Sequence, residues 1–184
     1  MGVVTPEDPY PVWPGPDGPL VVAPLFLLYD SSFRPQGARS AAEALTIAEQ
    51  AGVVCSDEFL LHPDPYPSRA AWSAARVAAT RARLDALPPG SRTVLVNHFP
   101  LVRAPLDRLR YPEFALWCGT EETADWPIRY RAEAVVYGHL HIPVTDRIDG
   151  IPHHEVSLGY PEEWGSPGAS ARRVVRVVGS GEVV

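Results

Sequence analysis

The sequence predicts an α/β fold in which helices cover a sheet, and three observations carry that expectation. Two apolar runs, Thr93-Val94-Leu95-Val96 and Val135-Val136-Tyr137, read as buried strands. A helical stretch from Arg69 to about Leu87, closed by Pro88-Pro89-Gly90, precedes the first of them in the helix-to-strand order of a layered fold. Asp149-Gly150 lies between two further strand-like runs, Val144 to Ile148 and Ile151 to Ser157, and signals a two-residue hairpin.

Residues 1–18 carry Pro-x-x-Pro spacings and a Pro16-Asp17-Gly18 turn, and an irregular surface opening is expected there. Leu20 to Tyr29 follows as a buried strand, with Pro24 placing it at an edge or a bulge. Ser40-Ala41-Ala42-Glu43 has the form of a capping box, so a helix runs to about Ala51 and Gly52 ends it. Residues 53–61 carry no clear period. His62-Pro63-Asp64-Pro65-Tyr66-Pro67 is a rigid loop, because alternating prolines remove the donors that a helix or central strand requires. Ser68 caps the next helix, whose Ala74, Val77, Leu84 and Leu87 share one face, with Arg76, Arg83 and Asp85 outside it. Glu121 to Arg131 is compatible with a short helix despite Pro127, and Trp117 and Trp126 read as packing. Arg173 to Val178 reads as a final strand.

At 184 residues and 46% hydrophobic content the chain has the size of one domain with a substantial core. A net charge of −6 and a pI near 5.5 exclude a broad electrostatic surface for nucleic acid or anionic membrane. No apolar run reaches membrane-spanning length and the first residues lack signal-peptide character, so a cytoplasmic location is expected. Cys55 and Cys118 form no paired-thiol pattern and are expected to be buried free thiols.

Both principal strands deliver histidine at their ends, in Asn97-His98-Phe99-Pro100 and in Gly138-His139-Leu140-His141. On an extended backbone residues two apart face the same side, so His139 and His141 address one small volume, with Gly138 allowing a tight turn. Loops at one sheet edge collect functional groups, which brings His98 toward the pair. Neutral imidazole is the commonest metal-ligating side chain. His153 and His154 point to opposite faces of their strand, and neither is expected to be a ligand. Arg103, Arg108 and Arg110 lie between the two histidine blocks, where they could clamp a phosphate or sit on the surface.

Val-Asn-His-Phe-Pro and Tyr-Gly-His-Leu-His resemble the last two sequence blocks of the calcineurin-like metallophosphoesterases. The resemblance runs from about Thr93 to Tyr160. It implies the C-terminal part of a sandwich of two β-sheets flanked by helices, with residues 1–184 as a single partial domain. It also implies a hydrolase, a phosphatase or phosphodiesterase, acting on a small phosphoester through water activated by two divalent ions, Mn, Fe or Zn. By position in the motif His98 and His139 bind one ion and His141 the other.

The family's first three blocks, which supply its carboxylates, its asparagine and its proton donor, have no counterpart here. Asn97-His98 is not the third of them, since Val96 and Phe99 stand where glycine and an acidic residue belong. Asp57, Glu58 and Asp64 match no missing block and receive no role, and the catalytic residues stay unassigned. Three imidazoles without carboxylates are expected to hold divalent ions weakly. Two other readings stay open: a degenerate binding or scaffold member of the same fold, and a mononuclear zinc site of three histidines.

Overall fold

The computed structural model describes residues 3–163, in which strands and helices cover one another as the α/β pattern predicts. The strands are β1 (Val12–Gly15), β2 (Gly18–Pro24), β3 (Arg92–Val96), β4 (Ala132–Tyr137), β5 (Val144–Ile148) and β6 (Ile151–Glu155). Among the described residues they form one sheet in the order β1-β2-β3-β4-β6-β5. β2, β3, β4 and β6 run parallel, while β1 and β5 close the two edges antiparallel. Parallel pairing puts the carboxyl ends of β2, β3 and β4 on the same edge of the sheet, where α/β folds collect ligands. A second sheet is not found among the described residues, and the strand expected at Arg173 to Val178 lies outside them.

The turns explain the edges. Asp149 and Gly150 have φ of 50° and 81°, the left-handed pair that a two-residue hairpin between β5 and β6 demands. Pro16-Asp17 turns β1 back on β2, so the opening contains an edge strand that its prolines concealed from sequence reasoning. β2 stops at Pro24, whose partner is Val96, and Leu25, Leu27, Leu28 and Tyr29 beyond it continue as buried loop rather than strand. Pro24 therefore ends a central strand instead of marking an edge, a placement that its missing donor tolerates.

Helices α1 (Ala41–Gln50), α2 (Asp57–Leu60), α3 (Arg69–Asp85) and α4 (Trp126–Arg129) surround this sheet. The Ser40 hydroxyl accepts from the Glu43 amide at 3.1 Å, while the Glu43 carboxylate accepts from the amide of Arg39 at 2.8 Å, one residue earlier than in a regular capping box. Helix α3 buries Ser73, Val77, Thr80 and Leu84. Ala74 is exposed, because the contact stripe is rotated toward two small polar residues that fit tightly under the helix. Arg76 and Arg83 are not idle surface charges. Arg76 pairs with Glu7, and Arg83 donates to the carbonyls of Pro6 and Asp8 and lies 4.1 Å from the centre of the Tyr10 ring, so α3 straps the opening segment down.

One core cluster joins Ala23, Leu95 and Val135 of the sheet to Val77 and Leu84 of α3 and to Trp126. A second joins Leu28, Tyr29, Ala44, Ala48, Phe99 and Trp117 under α1. Cys55 and Cys118 are buried free thiols, as expected. Gly119 sits between the clusters at φ +142°, where an added Cβ would lie 2.8 Å from the Phe33 ring and 2.9 Å from the Pro100 carbonyl oxygen. Gly119→Ala is therefore expected to cost about 2–4 kcal/mol, from overpacking plus backbone strain. A urea midpoint within error of wild type would remove this account of the site.

His153 and His154 occupy opposite faces of β6. His154 Nδ1 lies 2.9 Å from the Thr145 hydroxyl. His153 is 1% exposed, and neither of its ring nitrogens has a hydrogen-bond partner among the described residues. Burial holds its pKa down at about 4, against the attraction of Asp146. The neutral form is favoured by folding, so this contribution to stability is complete above about pH 6.5 and is lost as pH falls toward 4. The loss approaches about 1.4 kcal/mol per pH unit in that window. His153→Leu is expected to flatten the dependence, seen as a smaller drop in urea midpoint between pH 7.5 and pH 5. An unchanged drop would assign the pH dependence to other groups.

Candidate functional site

The ladder between β3 and β4 continues past both strands and aligns the two histidine blocks. The Asn97 amide donates to the Val136 carbonyl and the Gly138 amide to the His98 carbonyl, each at 3.0 Å. Asn97 is buried and works structurally. Its Oδ1 accepts from the Leu27 amide at 3.2 Å and its Nδ2 donates to the Phe99 carbonyl at 2.9 Å, tying the end of β2 to the end of β3.

This alignment brings His98 and His139 together. His98 Nε2 and His139 Nδ1 are 3.1 Å apart. The His139 ring packs edge-on against Phe99 at 4.5 Å and stacks on Phe114 at 5.5 Å. Burial holds the His139 pKa at about 3, and the neighbouring His98 and His141 push it the same way. His98 is open to solvent on one side, and its pKa is lowered by partial burial against the opposing pull of Asp57. Both rings are therefore neutral near pH 7, the state in which imidazole ligates metal.

The expected role of Gly138 is corrected. Its φ is not in the left-handed region; His139 at 74° and His141 at 56° carry that conformation instead. The backbone from 139 to 141 is thus not extended, and the rule that places residues two apart on one side does not operate there. His141 turns away. Its Nδ1 lies 2.8 Å from Glu163 Oε2, and its ring centre lies 4.8 Å from that of Tyr160.

Two donors are in place for one ion. Nitrogens on a common zinc-like ion, at about 2.0–2.1 Å from it, lie roughly 2.9–3.4 Å from each other, which the His98–His139 separation satisfies. The buried His139 Nε2 has no hydrogen-bond partner among the described residues; the Trp117 main chain is near enough to oppose the pKa shift without meeting hydrogen-bond geometry. Among the described residues no group of three or more His, Cys, Asp and Glu is gathered to hold a metal ion. The residues therefore fit two positions of one ion, and the described set does not assemble a two-ion centre.

The pair opens into a cavity of about 670 Å³ at the carboxyl edge of the sheet. Its wall includes Phe26, Val54, Asp57, Phe99 and Phe114. Asp57 was unassigned from sequence, and its only legible signal was an acidic residue in a stretch without clear period; Phe114 gave none. Asp57 accepts from the Tyr29 hydroxyl at 3.2 Å. Glu58, beside it, accepts from the Trp117 indole N–H at 2.7 Å and pairs with Arg69. These contacts fix α2 as one side of the cavity.

The arginines between the histidine blocks do not reach it. Arg108 pairs with Asp146 at 3.0 Å, Arg110 lies over the Tyr111 ring, and Arg103 lines a separate cavity of about 290 Å³. Of their two readings, surface placement is the one the structure gives. Among the described residues no helix is long and apolar enough to cross a membrane.

The chain is 62% identical over 164 residues to the acyl-carrier-protein phosphodiesterase PptH of Mycobacterium tuberculosis. The match takes in 89% of this chain and 51% of that protein. The chain thus spans about half the length of the curated relative it matches. The crystal structure of phosphopantetheinyl hydrolase (PptH) from Mycobacterium tuberculosis superposes with a TM-score of 0.87 and 59% identity, over 92% of this chain and 61% of that one. No family model matches the chain.

The chain is homologous to a phosphodiesterase, in line with the hydrolase class expected from the sequence. The small phosphoester expected as its partner is corrected: the relative is named for a carrier protein, a macromolecular substrate.

Proposed function

We propose that this chain is part of a phosphodiesterase-type hydrolase that releases a phosphopantetheinyl group from an acyl-carrier protein. One observation carries the reading: the His98–His139 pair opens on a cavity at the carboxyl edge of the sheet, in a chain 62% identical over 164 residues to an acyl-carrier-protein phosphodiesterase. In the reaction a water oxygen bonds to phosphorus, the bond from phosphorus to the carrier-protein oxygen breaks, and that oxygen leaves with a proton. Free carrier-protein hydroxyl and phosphopantetheine are the products.

His98, His139 and His141 are the proposed metal donors, within a calcineurin-like site on residues 1–184 as a single partial domain of the two-sheet class. A bound divalent ion, Mn, Fe or Zn, supplies an acidified water and stabilises charge developing on phosphorus. The chain's own residues supply position. Asn97 and the β3–β4 ladder set the spacing of the two rings, Phe99 and Phe114 fix the plane of His139 and exclude water from one side, and the Glu58 contacts hold the far wall. In this reading the carboxylates of a complete two-ion centre come from a part corresponding to the half of the relative that this chain does not span.

Metal content and release of phosphopantetheine from a loaded carrier protein test it, comparing this chain with a version as long as the relative. Two bound ions and turnover only in the longer version are expected. No turnover in either overturns it. A second reading, a binding or scaffold member without turnover, is favoured by the lack of any gathered group of three or more His, Cys, Asp and Glu among the described residues.

A further inference from the structure

The contact between His141 and Glu163 engages one ring nitrogen and leaves the other. Nδ1 lies 2.8 Å from Glu163 Oε2, which also accepts from the Tyr160 amide at 2.6 Å. An ionised carboxylate only accepts, so Nδ1 carries the ring proton and Nε2, on another edge of the imidazole, keeps its lone pair. The chain builds a cradle for that carboxylate. β6 pairs with β4 up to Glu155 and Tyr137, and the Val156 amide donates to the Tyr137 carbonyl at 2.8 Å, which carries the chain back to the edge where the histidines lie. A turn follows in which the Glu163 amide donates to the Tyr160 carbonyl at 2.9 Å. Gly159 has φ +74°, and an added Cβ there would collide with Glu163 Oε2. The Tyr160 ring meets His141 edge-on and lines the same cavity as His98 and His139. His141 is also close enough to these two rings to push both of their pKa values down.

We propose that Glu163 is a positioning residue for metal binding: through Nδ1 it fixes the tautomer and orientation of His141, so that Nε2 is the donor to a divalent ion. The proposal rests on the reading of His141 as a metal donor given above. A carboxylate on the second nitrogen of a ligating histidine holds the ring in place and raises its basicity. Without it, the ring is free to take the other tautomer, which presents an N–H to the ion instead of a lone pair. As a surface ion pair the same contact would add little to stability, since the Glu163 side chain is 45% exposed.

The tautomer is read without metal. In the metal-free chain at pH 8, above the ordinary imidazole range, nitrogen-15 shifts of the His141 ring are expected to show the Nδ1–H form, and Glu163→Ala to return the ring to a mixture of tautomers. Metal is read on the version as long as the relative, by competition with a chelator for zinc. The part of zinc binding that His141→Ala removes is expected to weaken about 10- to 100-fold in Glu163→Ala. Glu163→Gln is expected to weaken it only severalfold, because the amide oxygen still accepts from Nδ1–H. In a His141→Ala background, Glu163→Ala is expected to change zinc affinity less than about twofold, since no ring remains to orient. A loss of equal size in both backgrounds overturns the proposal, because the carboxylate then acts on the ion or the fold rather than through His141. An Nε2–H ring in the metal-free chain overturns it too, as does zinc binding that Glu163→Ala leaves unmoved. These results leave His141 as a metal donor. Zinc binding by the longer version that His141→Ala does not weaken removes the donor reading, and the proposal with it.

Discussion

In the longer version of the proposed hydrolase, His139→Asn is expected to lower kcat/KM for carrier-protein hydrolysis by more than about a hundredfold while the protein stays folded. Partners one shell away from a metal ligand already cost about 10- to 100-fold when removed, and a side chain in the first position exceeds that. His139 is suited to that position by contacts that leave it little freedom: its Nδ1 lies 3.1 Å from His98 Nε2, and Phe99 and Phe114 hold its ring on two sides. Asparagine is the informative replacement because it tolerates the left-handed backbone that His139 adopts at φ 74°, so the loop keeps its course while the imidazole is lost. Bound metal, measured by mass spectrometry, is expected to fall together with the rate. A variant that keeps more than a tenth of the wild-type rate would remove this pair from the reacting centre. Lost rate with metal content unchanged would give the imidazole a different part in the reaction.

The sequence carried the strand ends more clearly than it carried the site. Val94, Leu95 and Val135 announce buried strands by apolar run, and the register of β3 against β4 then places His98 beside His139 as expected. The capping serines were legible for the same local reason, since a helix start is written in four residues. The turn of His141 toward Glu163 was not legible. It follows from left-handed backbone at two non-glycine residues, which no local preference signals. Edge strand β1 was masked by composition, since three of the residues 11–16 are prolines yet Val12 and Trp13 still pair with Val21 and Leu20. The cavity wall was illegible for a third reason. Val54, Phe99 and Phe114 come from separate elements, and only tertiary packing gives them a common surface.

Trp117→Ala is expected to cost about 3–5 kcal/mol, a large share of the roughly 5–15 kcal/mol by which a domain of this kind is stable. Trp117 is 2% exposed in the cluster beneath α1, so its removal leaves a cavity that the neighbouring Ala44 and Ala48 are too small to fill. It also strips Glu58 of the indole N–H at 2.7 Å, leaving Arg69 to hold that carboxylate. Trp117→Phe separates the two effects. It keeps most of the apolar volume and loses the hydrogen bond, and a cost of about 1.5–3 kcal/mol is expected because the acceptor is charged. Urea unfolding of both variants gives the two terms. The consequence reaches the site through Phe114, whose ring lies 5.8 Å from Trp117 and 5.5 Å from His139. Below its unfolding transition Trp117→Ala is therefore expected to lose bound metal, because the His139 ring loses the support that Phe114 gives it. Trp117→Phe is expected to keep it, since Phe114 stays packed and Arg69 still holds Glu58. Equal losses in the two variants would show that the effect does not pass through the packing of Phe114.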